Sequence, residues 1–143
     1  MAVESTTYLH HLYRKQKKAV RIISFSKWNA HAKPLFLLLN LLTVYDINKL
    51  QIYCFVYKAF KGHLPKRFCN LFTRNMDIHS HNTRQVSDIH IIPHSTKARA
   101  YSIRFNGTTL WNLLGSAVIN SPTIYVFKRR CKMLLFHNLA LYM

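Results

Sequence analysis

Residues 46–62 read DINKLQIYCFVYKAFKG, and this stretch decides the fold class. Ile47, Leu50, Cys54 and Tyr57 recur at spacings of three and four, which lines them up on one stripe of an α-helix; a half-buried strand would alternate instead. Ile52, Phe55, Val56 and Ala59 widen the stripe to most of the circumference, the pattern of a helix central to its domain. Asp46 is the candidate N-cap and Gly62 the stop, so the expected helix runs from about 46 to 61. Its aromatic residues Tyr53, Phe55, Tyr57 and Phe60 have two uses open to them, stacking on bases or packing in a core.

Working outward from this helix, PLFLLLNLLTVY at 34–45 opens with a proline suited to a first turn and predicts a short helix over 34–42. The run is too short to cross a bilayer, and Asp46 and Lys49 follow at once. SKWNAHAK at 26–33 reads as a loop. Before it, residues 8–25 are helical in pattern: Leu9, Leu12, Gln16, Ala19 and Ile23 form a stripe, and Arg14, Lys17, Lys18 and Arg21 populate the other surface. Downstream, HLPKRFCNLF at 63–72 predicts a turn and a short helix, followed by a polar loop over 73–100 that holds the strand-like run DIHIIP. AYSIRFNG at 100–107 alternates weakly and is expected to pair with that run, with Asn106-Gly107 breaking it. TTLWNLL at 108–114 returns to helical spacing with Trp111 as an anchor. Ser121 as cap and Pro122 at the first position start a last helix, in which Phe127, Cys131, Leu134 and Leu135 form the apolar stripe. Lys128, Arg129, Arg130 and Lys132 supply a second basic face. The fold class expected is mainly α, an irregular helical bundle of roughly four to five helices with one long loop and at most one short β pair, between residues 88 and 105.

Charge narrows the function. Lys and Arg number 21 against 4 Asp and Glu, a formal net charge of +17 that suits a partner polyanion, either nucleic acid or an anionic membrane surface. The acids are Glu4, Asp46, Asp77 and Asp88, no two adjacent or at helical spacing. Two-metal phosphoryl transfer needs several converging carboxylates, and glycoside hydrolysis needs a facing pair; neither is expected here, and no motif asks for a cofactor. Cys54, Cys69 and Cys131 lack CxxC spacing and sit among apolar residues, which reads as buried free thiols in a reducing, intracellular compartment. The first residues, MAVESTTYLHHLYRKQ, contain no apolar run of secretory-leader length.

DIHSHNTR, residues 77–84, poses a metal question. His79 and His81 would need further ligands from among Asp77, Cys69, His90 and His94 to make a zinc tetrahedron. The competing reading is a polar loop whose histidines hydrogen-bond or face water, and no metal is expected.

In this order, QKKAVRIISFSKWNAHAKPLF (16–36), INKLQIYCFVYKAFKGHLPKRFCNLF (47–72), DIHSHNTR (77–84), IIP (91–93), YSIRFNGTTLWNLL (101–114) and FKRRCKMLL (127–135) give the chain a family likeness. It resembles the C-terminal part of the reverse transcriptase of LINE-type, non-LTR retrotransposons, over residues 12–138. The resemblance implies that DIHSHNTR connects the helical part, residues 12–72, through the loop at 73–100, to the LWN-containing segment at 101–143; residues 1–11 match nothing. Nothing in the resemblance implies a metal, and Asn82, Thr83 and Arg84 are expected to fix the loop geometry through side-chain hydrogen bonds. It also implies what is missing: the polymerase's palm carries an adjacent Asp-Asp pair, and this sequence has none. The family pattern has a proline after LWN-x-L where this chain has Gly115.

The expected function is therefore non-catalytic binding of RNA or an RNA–DNA hybrid through phosphates. Arg14, Lys15, Lys17, Lys18 and Arg21 of the first helix and Lys128, Arg129, Arg130 and Lys132 of the last are the primary candidates, with Arg74, Arg84, Lys97, Arg99 and Arg104 secondary. Two other readings stay open: an interaction piece whose apolar helices at 34–61 pack on a polymerase core, and a basic amphipathic binder of membrane surfaces that does not span them.

Overall fold

The computed structural model describes residues 2–78 and 86–141. Among them lie nine helical segments: α1 Ala2–Ile23, α2 Ala32–Leu38, α3 Val44–Phe60, α4 Lys66–Cys69, α5 Asn75–Ile78, α6 Lys97–Ala100, α7 Ile103–Asn112, α8 Ser116–Ile119 and α9 Ile124–Leu141. The mainly α expectation holds. α4 is the short helix expected within 63–72, and the helix count differs because α5, α6 and α8 are further single turns of four residues, too short to leave a helical period in the sequence. Two compact units are present, one made of Met1–Leu50 with Arg129–Met143 and the other of Gln51–Lys128, so that the division falls inside α3 and α9.

In the first unit, Val20, Ala32 and Phe36 form the core, with Tyr13, Leu35, Leu39 and Leu139 packed against it. The Tyr13 ring stacks on Phe36 at 6.2 Å and tilts against Tyr45 at 5.3 Å. The buried side of α1 is thus Tyr13, Gln16 and Val20, one position round from the stripe expected: Leu12 and Ile23 are exposed. Gln16 decides the rotation. Its Nε2 donates to the Leu42 carbonyl at 2.9 Å and its Oε1 accepts from the Val44 N–H at 2.9 Å, so one side chain satisfies both backbone groups at the entrance to α3.

Helix α2 begins at Ala32 and ends at Leu38, earlier at both ends than the 34–42 expected. Pro34 still sits in the first turn, where its missing N–H breaks no helical bond. The cap of α3 is Thr43 and not Asp46: Thr43 Oγ1 accepts from the Asp46 N–H at 3.2 Å and donates to Asp46 Oδ2 at 2.6 Å. Asp46 serves instead as the acid of the first turn, where a negative charge faces the positive helix end, with Lys49 Nζ 4.0 Å away.

Three helices end in the same way. After α3, Gly62 at φ 69° bonds back to Ala59 and His63 to Lys58; after α2, Asn40 at φ 51° bonds to Leu37 and Leu41 to Phe36. After α1, Phe25 at φ 51° bonds to Ile22 and Ser26 to Arg21. Each is the paired 6→1 and 5→2 closure that needs a left-handed residue. Glycine and asparagine are its usual occupants; a phenylalanine there is strained.

The second unit is built on rings. Tyr57 stacks on Phe127 at 4.4 Å, Phe127 on Trp111 at 5.8 Å, and Phe60 tilts against Trp111 at 5.4 Å. Phe72 meets both Phe60 and Phe55, each at 6.3 Å. These aromatic side chains of α3 are therefore used in packing. Ile47 departs from the expected α3 stripe and is exposed, whereas Leu50, Tyr53, Cys54, Val56, Tyr57 and Ala59 are buried.

AYSIRFNG does not form a strand. Ser102 caps α7, its side chain accepting from the Phe105 N–H, and Asn106 and Gly107 lie inside the helix. The β pairing in this region is one isolated bridge, Arg74 with Ile89, among the described residues. What holds Ile89 on its other side is Asn112, the last letter of LWN: its Oδ1 accepts from the Ile89 N–H at 3.0 Å and its Nδ2 donates to the Ile89 carbonyl at 2.9 Å. Gly115, at φ −67°, has the backbone angle that a proline ring enforces.

The last helix begins at Ile124 with Thr123 accepting from the Val126 N–H, two residues later than the expected start with Ser121 as cap and Pro122 at the first position. Ser121 is instead fully buried, its hydroxyl donating to Val118 and its carbonyl accepting from Tyr57 Oη at 2.7 Å. Phe127, Cys131 and Leu135 are buried as expected, but Leu134 is 37% exposed. The cysteines are free; Cys54 and Cys131 are buried, while Cys69 is half-buried with its thiol donating to the Leu64 carbonyl. Burial pushes the Cys54 thiol up against the opposing pull of Lys128 and Lys58, which keeps it protonated and unreactive at neutral pH.

Candidate nucleic-acid interface

The first basic group lies along one continuous helix. Arg14, Lys15 and Lys18 are exposed on α1, and Lys17 and Arg21 are half-buried. With 3.6 residues per turn, Arg14, Lys18 and Arg21 stand on successive turns of one side. They share with His11, Lys15 and Lys17 a shallow furrow. From residue 8 to the end of α1 there is no carboxylate to neutralise them. Asp46 and Asp77 are engaged elsewhere, Asp46 by Thr43 and Asp77 by the Arg74 N–H.

Two members of this group do more than display charge. Arg21 Nε donates to the Ala30 carbonyl at 2.7 Å and so ties the loop after α1 back onto the helix. Lys17 Nζ stands 4.8 Å from the centroid of the Tyr13 ring. Burial pushes the Tyr13 phenol up, with Tyr45 and Asp46 adding to the effect, so the ring stays neutral beneath the ammonium.

The second group sits on α9. Lys128, Arg129, Arg130 and Lys132 are all exposed, while Phe127, Cys131 and Leu135 on the opposite side of the helix are buried. The alternation follows from the helical period: three consecutive residues sweep most of the arc that the apolar stripe leaves.

The secondary candidates divide. Arg74 is half-buried, with its guanidinium 5.1 Å from the Phe60 centroid, a packing role. Arg99 and Arg104 are exposed and border a small crevice with His94 and Phe105, whose rings lie 4.0 Å apart. Arg84 and the side chain of Lys97 lie outside the described residues, as do His79, His81, Asn82 and Thr83 of DIHSHNTR.

A further feature escaped the sequence reading. Tyr13, Lys17, Arg21, Asn29, His31 and Lys33 line a concavity of about 530 Å³ in the first unit. Lys33 and His31 flank the start of α2 and join Lys17 and Arg21 only because the loop folds back through the Arg21–Ala30 bond. A pattern search along one helix cannot find a site whose walls come from a helix and the following loop.

Such an array can hold phosphates as point charges. Lysine ammonium groups on flexible stems do not discriminate base edges, so binding through them is tolerant of sequence. Among the described residues no group of three or more His, Cys, Asp or Glu is placed to hold a metal ion. No helix among them is long and apolar enough to cross a membrane. No family model, curated protein or solved structure matches the chain.

Proposed function

We propose that this chain is a non-catalytic nucleic-acid-binding piece of a LINE-type reverse transcriptase, gripping RNA or an RNA–DNA hybrid by its phosphates. The observation that carries the proposal is the run of exposed or half-exposed cations on α1, without a carboxylate between residue 8 and the end of the helix, repeated in kind on α9. The family part of the reading rests on the ordered motifs alone. An in-frame Asp-Asp-containing palm encoded upstream in the same message is its expected correlate, and a full-length transcript read tests it.

The binding part is tested by titrating labelled RNA against salt. Engagement of roughly six phosphates predicts about a thousandfold loss of affinity between 50 and 200 mM monovalent salt. Combined Arg14→Ala, Lys15→Ala and Lys18→Ala substitutions are expected to weaken binding uniformly across sequences and to lower the salt slope by about one per lost contact. A shallow slope in the unmodified chain would remove the proposal.

One observation favours a second reading, docking on a polymerase core: Leu38, Leu41 and Ile47 are exposed around the junction of α2 and α3. Self-association at high salt, abolished by Leu38→Ser, is the outcome that reading expects.

A further inference from the structure

The loop between α1 and α2 carries two aromatic rings in the open. Phe25 is 98% exposed and Trp28 is 87% exposed, the least covered large apolar side chains among the described residues of the first unit. They are not on a loosely held segment. Ser24 Oγ donates to the Val20 carbonyl at 2.8 Å, the Ser24 and Ser26 hydroxyls are 2.9 Å apart, and Arg21 Nε closes the loop on Ala30. The backbone at Phe25 is in the left-handed region that the other two helix ends give to asparagine and glycine. A bulky side chain there strains the backbone, and nothing is gained by packing, because the ring touches almost no protein. The residue makes sense for its exposed ring and not for its backbone.

The neighbours of the rings along the chain are cationic. Lys27 lies between them in sequence, Lys18 and Arg21 are on the preceding turns, and Trp28 immediately precedes Asn29, His31 and Lys33 of the cationic concavity. Flat π-faces beside a row of cations match an unpaired strand, whose bases are free to stack while its phosphates track the charges. A duplex hides those faces. A bilayer surface would cover the rings but offers no flat π-partner to stack on them, whereas an unpaired strand offers its bases to the rings and its phosphates to Lys17, Arg21, His31 and Lys33.

We infer that the α1–α2 loop is a single-strand platform, with Phe25 and Trp28 stacking on unpaired bases while Lys17, Lys33 and His31 hold the adjoining phosphates. This rests on the nucleic-acid reading above and makes it specific to unpaired segments of RNA or DNA.

The test compares a labelled single-stranded RNA of about 12 nucleotides with a duplex of the same length, using the full chain and three variants. Trp28→Ala is expected to weaken single-strand binding by roughly 5- to 150-fold and to leave duplex binding unchanged, with Trp28→Phe restoring most of the loss. Phe25→Gly is expected to raise the melting temperature, by relieving the left-handed backbone, and at the same time to weaken single-strand binding. A role confined to folding would not separate those two readouts. If the chain binds both RNAs and the variants change neither, the platform is overturned while phosphate binding stands. If single-strand and duplex binding fall together, the platform is overturned as well. If neither RNA binds, the nucleic-acid reading itself fails, and quenching of tryptophan emission by anionic vesicles but not by RNA would assign the rings to a membrane surface instead.

Discussion

Tyr57 is both a ring in the second unit's core and a hydrogen-bond donor: its hydroxyl reaches the Ser121 carbonyl at 2.7 Å, 64 residues away. Removing the hydroxyl leaves the ring stack with Phe127 intact and deprives a buried carbonyl of a partner. Tyr57→Phe is therefore expected to destabilise the fold by about 1–2 kcal/mol, read as a lower denaturation midpoint with unchanged cooperativity. A neutral result would mean that water replaces the hydroxyl. Gln16 and Asn112 work by the same physics, each offering one acceptor and one donor to backbone groups that no helix or sheet satisfies. The sequence reading placed Gln16 on a stripe and Asn112 in a motif without a task. Long-range polar pairings leave no periodic trace, so these roles were not legible before the fold was known.

At the scale of elements, α7 is the instructive case. Its β-branched and aromatic residues, with an Asn-Gly pair, read as a strand end, yet Ser102 caps a helix and Gly107 lies inside it. Gly107 is there because of its neighbours: a Cβ would stand 3.1 Å from Val56 Cγ2 and 3.4 Å from Phe72 Cε1. Both neighbours are buried and have little room to give. Alanine would gain about 1 kcal/mol of helix propensity against an overpacking cost of about 1–3 kcal/mol. Gly107→Ala is expected to lower stability by about 1 kcal/mol net, measured by chemical denaturation. A stabilised variant would show that α7 can move away from α3. Against this, α3 was legible within two residues at each end and the start of α9 within two, because a sustained period of 3.6 survives errors at single positions. Their starts were misplaced since several hydroxyl and acid residues competed for each cap, and Thr43 and Thr123 won over Asp46 and Ser121.

For the whole molecule, the excess of 21 basic over 4 acidic residues sets the behaviour in salt. Self-repulsion opposes the folded state, and screening relieves it. The melting temperature of the free chain is expected to rise as sodium chloride goes from about 20 to 500 mM, even as affinity for RNA falls over the same range. Thermal melts followed by circular dichroism check this, and a falling melting temperature would mean that attractive ion pairs dominate. The helical class, the positions of the main helices, the burial of Trp111 and the basic runs of α1 and α9 followed from the sequence by itself, because periodicity and charge are properties of neighbours along the chain. Tertiary structure alone decided which side of α1 is buried, that Asn112 clamps Ile89, and that Lys33 and His31 meet Lys17 around one concavity. Those arrangements join residues distant in sequence through hydrogen bonds and contacts that only the folded backbone brings within reach.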